Sequence, residues 1–110
     1  MQRKYVTVAE TALFVRQAAA IWDESEHDAF VDFIAANPLS GDLIAETGGV
    51  RKVRWTHAGT GKRGGVRVIY FYYDLGRPLY LLMVYAKARR ENLTADEKRA
   101  VRKLAAVLKR

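Results

Sequence analysis

Cysteine is absent from this 110-residue chain, and proline and histidine occur twice each. With no thiol there is no disulfide, no thiolate metal site and no cysteine nucleophile, and a reducing compartment is expected. Acidic residues are scarce in one half only. Residues 1–50 hold 8 of them against 3 basic groups, net −5, whereas residues 51–110 hold 4 against 16, net +12, for a total of +7. Long apolar runs are missing too. The longest, LYLLMVYA, has the length of a strand, nothing approaches a membrane span, and MQRKYVTVAE carries no signal-peptide core. A cytoplasmic protein without membrane contact is the expectation.

Half of the residues are hydrophobic, enough for a core without covalent staples. A chain of this length makes one domain, 1–110, that buries about two-thirds of its unfolded surface. Residues 4–9 alternate weakly, as a first strand would, and residues 11–21 suit a short helix. Asp23 followed by Glu26, then Phe30, Phe33 and Ile34 at helical spacing, and Asn37-Pro38 as a stop predict a helix over 24–37, hairpinned against the first. Thr94 and Glu97 predict a capping box for a last helix, with Val101, Leu104 and Leu108 as its apolar stripe. Lys98, Arg99, Arg102, Lys103, Lys109 and Arg110 fill the rest of that helix, and its dipole accounts for some of them.

Between these helices lie three apolar runs, VRKVRW, VRVIYFYY and LYLLMVYA. The turn DLGRP makes the last two an antiparallel hairpin. With Tyr73 opposite Leu79, Arg67 falls opposite Tyr85 and Lys87 becomes a diagonal neighbour. With Arg54 opposite Arg67, Lys52 and Arg54 join the same face, and a one-residue slip would send them to the other. The fold class expected is α+β: a small, mainly antiparallel sheet of 3–4 strands, an N-terminal helical hairpin and a C-terminal helix.

Lysine and arginine crowd the ends of those strands, and a cationic rim on a rigid scaffold suits a polyanion. It can bind an RNA backbone and stabilise the extra charge of a pentacovalent phosphate, where one such stabiliser is typically worth on the order of 3–4 kcal/mol. Crowded cations also depress a lysine's pKa, which would make a lysine a base for a ribose 2′-hydroxyl; arginine stays protonated. Tyr85, on the same face, is the tyrosine suited to stack on a base.

Other motifs fail on context. Gly59, Gly61 and Gly64 match GxGxxG but join two strands and do not open a helix. Thr56 and Arg63 break a Walker A pattern in the same loop. His27 reads as a surface residue, His57 as a possible substrate neighbour, and neither has the spacing of a metal ligand. The acidic pairs Asp23/Glu24 and Asp96/Glu97 sit where helix dipoles explain them. No cofactor and no metal is expected.

The run G-V-R-K-V-R-W, the loop GTGKRGG, then VRVIYFYY, LYLLMVYAK and ENLT before a helix resembles the RelE/ParE superfamily of bacterial toxins, the HigB-type RelE branch above all. The resemblance covers most of the chain and is strongest over residues 48–94. It implies a toxin of a type II toxin–antitoxin system that acts as a metal-independent endoribonuclease on ribosome-bound mRNA and arrests translation. Its implied partners are the ribosome with its mRNA and a helix-turn-helix antitoxin, through which alone it would meet operator DNA. Lys52 and Arg54 match the paired basic residues of the family's second strand, Arg67 the arginine that stabilises the transition-state phosphate, and Lys87 the basic position after the last strand. These four are the expected catalytic residues, with Lys62, Arg63, Tyr85, Arg89 and Arg90 as substrate contacts. An arginine and a tyrosine found in other members are replaced by Ala88 and, approximately, Thr94, so the group that protonates the leaving oxygen is open. Two other readings fit the basic rim: a gyrase-inhibiting ParE-like toxin and a non-catalytic RNA- or DNA-binding module.

Overall fold

The computed structural model describes residues 5–56 and 65–110. Strand β1 (Val8–Glu10) leads into helix α1 (Ala12–Ile21) and then α2 (Glu24–Ala36). A two-residue β2 (Asp42–Leu43), β3 (Val50–Trp55), β4 (Val66–Phe71) and β5 (Leu79–Ala86) follow, and α3 (Ala95–Leu108) closes the chain. The sheet order is β1-β5-β4-β3-β2, antiparallel throughout except for the parallel β1–β5 pair. The α+β class and its mainly antiparallel sheet hold, with five strands where three or four were expected. The additional one, β2, lies in a stretch whose composition reads only as turn.

Caps fix the helix starts. Thr11, Asp23 and Thr94 each accept a backbone N–H three residues on, and Glu97 returns the bond to the Thr94 N–H to complete the predicted box. Thr11 also donates from Oγ1 to the Leu81 carbonyl at 3.0 Å, which joins α1 to β5. β1 is so short that the Val84 N–H lies past its end, and Gln17 Oε1 of α1 accepts it at 3.0 Å. The strand expected at 4–9 begins only at Val8, because the Val6 N–H bonds Ala35 of α2 at 2.9 Å and draws the chain off the sheet.

Alternate residues of the same strands supply two cores. On one face Val53, Val66, Val68, Tyr70, Leu79, Leu81 and Val84 pack under Phe14, Ala18 and Trp22 of the first helical segment and Phe30 and Ile34 of α2. On the other, Val50, Ile69, Phe71, Leu82, Met83 and Tyr85 meet Val101 and Ala105 of α3. Covered on both sides, β4 is buried at all six positions, which is why VRVIYF shows almost no polar alternation. The stripe of α3 differs from the expected one. Ala105 is fully buried while Leu104 is 37% exposed, because the small alanine lets the helix sit close to the sheet.

Arg54 faces Arg67 and Arg67 faces Tyr85, as the register argument requires. Beyond Ile69 the β4–β5 pairing slips by one residue, from Ile69↔Met83 to Tyr70↔Leu81. The bulge places consecutive Leu82 and Met83 in the α3-side core. The Tyr73–Leu79 alignment therefore does not extend from the site end to the turn. Two glycines make this geometry possible. Gly41 packs so close to Tyr70 that a Cβ would stand 2.8 Å from the ring, and Gly65, at φ +64°, would place one 2.2 Å from the Trp55 carbonyl oxygen. Among the described residues no helix is long and apolar enough to cross a membrane.

Candidate functional site

Three adjacent strands each present one polar side chain in a row across the α3 face of the sheet: Arg54 from β3, Arg67 from β4 and Tyr85 from β5. Lys52, two residues along β3, faces the same way. Val101 and Ala105 cover the apolar end of this face. The polar end is crossed by residues 87–94, which connect β5 to α3.

Arg67 is 2% exposed although it is an arginine. A charge so placed needs a partner, and Glu91 provides it. The guanidinium grips the carboxylate with both arms of its fork, Nε to Oε2 at 2.8 Å and Nη2 to Oε1 at 3.0 Å. Lys52 Nζ approaches Glu91 Oε2 at 3.4 Å, the Glu91 carbonyl at 3.3 Å and Asn92 Oδ1 at 2.9 Å. The Tyr85 hydroxyl donates to the Glu91 carbonyl at 3.0 Å. The Arg67 fork, with Lys52 beside it, holds the Glu91 carboxyl down at about 2. Burial pushes the Tyr85 phenol up, so it stays a neutral donor. The Tyr85 ring carries the Arg90 guanidinium 4.3 Å from its centroid, and Arg90 in turn pairs with both carboxylate oxygens of Glu97 on α3.

Of the four expected catalytic residues, Lys52 and Arg67 thus converge on one oxyanion. Arg54 is exposed and lines, with Lys52, Glu91, Ser40, Asp42 and Phe33, a cleft of about 460 Å³ beside it. Lys87 lies one residue past the end of β5, tied through its backbone N–H to the Gly65 carbonyl at 3.2 Å, with its side chain in solvent. The crowding of like charges expected around the lysine is met at Lys52 by a carboxylate. Among the expected substrate contacts, Arg89 is exposed beside a second cleft with Tyr85 and Gln17. Tyr85 is buried with Arg90 on its ring, so the face suited to a base is covered. Lys62, Arg63 and His57 lie outside the described residues. His27, expected as a plain surface residue, is partly buried on the opposite side of the sheet, against Phe14 and Trp22, with Nε2 2.6 Å from Glu10 Oε1.

Glu91 and Asn92 were not singled out by their chemistry in the sequence. A signal was present: residues 51–110 hold four acids, of which Asp74 sits in a turn and Asp96 and Glu97 in the first turn of α3. Glu91 is the one left over without a local role. The family model for the RelE toxin of the RelE/RelB toxin–antitoxin system matches residues 8–110, from β1 to the end of α3. The chain belongs to the RelE toxin family. As a RelE-family chain it is a toxin of a toxin–antitoxin system, with an antitoxin as its implied partner, and toxins of this family are generally endoribonucleases. The row Arg54–Arg67–Tyr85, with Lys52 and Glu91, lies wholly inside the matched residues.

Proposed function

We propose that this RelE-family toxin cleaves mRNA on the ribosome and so arrests translation. The observation that supports this most is the meeting of the Arg67 fork and the Lys52 ammonium on a single oxyanion, beside a cleft lined by Arg54. A phosphodiester presents the same two anionic oxygens to such donors. In the proposed reaction the 2′-oxygen attacks the adjacent phosphorus and the P–O5′ bond breaks, giving a 2′,3′-cyclic phosphate and a 5′-hydroxyl. The 2′-hydroxyl proton passes to a base, and the leaving 5′-oxygen takes one from an acid. Arg67 binds the phosphate and stabilises the charge that builds on it, Lys52 and Arg54 share that charge, and Lys87 contacts the neighbouring phosphate from the rim. Arg89 and Arg90, with Lys62 and Arg63, follow the backbone on either side. The ribosome presents the message in the reactive geometry, which explains how so few side chains suffice. A helix-turn-helix antitoxin, as in the branch that the sequence resembles, restrains the toxin and carries it to operator DNA.

The test is Arg67→Ala, with a thermal melt to confirm the fold. Induction should cease to arrest growth, and primer extension on a translated message should show no cuts. A fully toxic Arg67→Ala protein would overturn the assignment. Cuts absent from the unmutated protein would leave a binding module, and relaxed plasmid in a supercoiling assay would point to gyrase inhibition.

A further inference from the structure

The segment that crosses the site is fastened there by the groups assigned above to RNA. Glu91 occupies Arg67 and Lys52, its carbonyl takes the Tyr85 hydroxyl, Asn92 takes a second bond from Lys52, and Arg90 covers the Tyr85 ring. A carboxylate and a phosphodiester use a guanidinium fork in the same way, so one excludes the other from Arg67. The two partners of the ion pair are placed very unequally. Arg67 is fixed in the central strand, 2% exposed, whereas the Glu91 side chain is 41% exposed, and the chain just before it, residues 87–89, is in solvent. If the pair opens, Glu91 leaves into water while Arg67 stays in the strand.

We propose that residues 87–93 form an intramolecular lid in which the Glu91 carboxylate occupies the phosphodiester subsite, and that RNA enters by displacing it. The proposal rests on the nuclease reading and names the regulation of that site. Glu91 is an occupant of the site and not its base, because a carboxylate whose two oxygens both accept from a guanidinium is poorly matched to a 2′-hydroxyl proton. The Arg90–Glu97 pair anchors the lid to α3, so anything that shifts the first turn of that helix shifts the lid with it.

The test compares the full chain with Glu91→Gln and Glu91→Asp in binding a short 2′-O-methyl RNA that cannot be cut, by fluorescence anisotropy over a salt series. A lid open about a tenth of the time weakens apparent binding about tenfold. Glu91→Gln should regain that tenfold, and its salt slope should steepen by about 0.7, the increment for one single-strand phosphate contact that no longer displaces an internal anion. Glu91→Asp, which keeps the carboxylate, should stay near the unmutated protein. Equal or weaker binding by a folded Glu91→Gln variant would overturn the lid and leave Glu91 as a residue that positions Arg67. Should that variant not fold, the unmutated protein decides: NMR of the Arg67 Nε–H and the Glu91 carboxyl carbon should show the pair parting as RNA saturates, and an intact pair in the complex would refute the proposal. If Glu91→Gln binds about tenfold more tightly but neither protein cuts a message on the ribosome, the nuclease reading falls and the lid stands. Cutting by both with equal affinity does the reverse.

Discussion

The face of the sheet under α1 and α2 and the face under α3 are built by alternate residues of the same strands, and they carry opposite chemistry. The first is closed and aromatic: Phe30 stacks on Trp22 at 5.4 Å and meets the edge of Trp55 at 5.4 Å. The second is core for half its length, and for the other half it is a polar row in which Arg67 and Lys52 are met by Glu91 of a connecting segment. The difference is sharpest in β4, where Val66, Val68 and Tyr70 point to one side and Arg67, Ile69 and Phe71 to the other.

The comparison is broken most severely on the closed face. Phe30 is fully buried, so Phe30→Ala should cost about 3–5 kcal/mol of stability in urea denaturation. The folded fraction should keep the full toxicity of the unmutated chain, since no cation moves. This is the inverse of Arg67→Ala, which should silence the toxin while its melting transition persists. If Phe30→Ala abolished toxicity at temperatures where it is still folded, the two faces would be coupled more tightly than their separate cores suggest.

A smaller change sharpens the boundary between them. Tyr70 belongs to the closed core, yet its hydroxyl donates to the Pro38 carbonyl at 2.8 Å and accepts the Gly41 N–H at 2.9 Å. It therefore pins the chain leading into β2, next to Ser40 and Asp42 of the cleft wall. Tyr70→Phe leaves a buried N–H and a carbonyl without that partner and should cost roughly 1–3 kcal/mol. The cleft wall, and with it the KM for a translated message, should suffer more than turnover at saturation.

These contrasts also explain what could be read from the sequence. The caps of the last two helices were legible because Asp23 and Thr94 act within three residues of themselves, whereas the Thr11 cap was not singled out. The Arg54–Arg67–Tyr85 row follows the register chosen from the sequence, although the bulge means that the hairpin turn alone does not determine it. The bulge at Leu82 was not legible, since an unbroken apolar run has no alternation to interrupt. Two-residue β2 was not, because the chain leading into it is tied at Gly41 to Tyr70, 29 positions away. Glu91 lay within the quoted ENLT motif, but its role comes from meeting Arg67, 24 residues away. A pattern of cations shows what an anion would find there; it does not show that the chain supplies an anion of its own.

The smallest effect tests whether that internal anion is held loosely enough to leave. Arg67, foremost, and Lys52 lower the folded-state pKa of Glu91 to about 2, from an ordinary value of 4.5. A depressed carboxylate pKa adds stability that is fully present above about pH 4.5 and is lost as pH falls through about 2. The difference in melting temperature between the unmutated chain and Glu91→Gln should thus be constant at neutral pH and close as pH drops from 5 towards 2. Arg67 and Lys52 are the charges facing Glu91. Glu97, itself lowered by its hydrogen bonds from Arg90, is common to both proteins and cancels. Solvent screening of a side chain this exposed keeps the gap small. A small gap is what a displaceable lid requires, whereas a large one would leave the open form too rare for RNA to enter, so the same titration bounds how often the site is free.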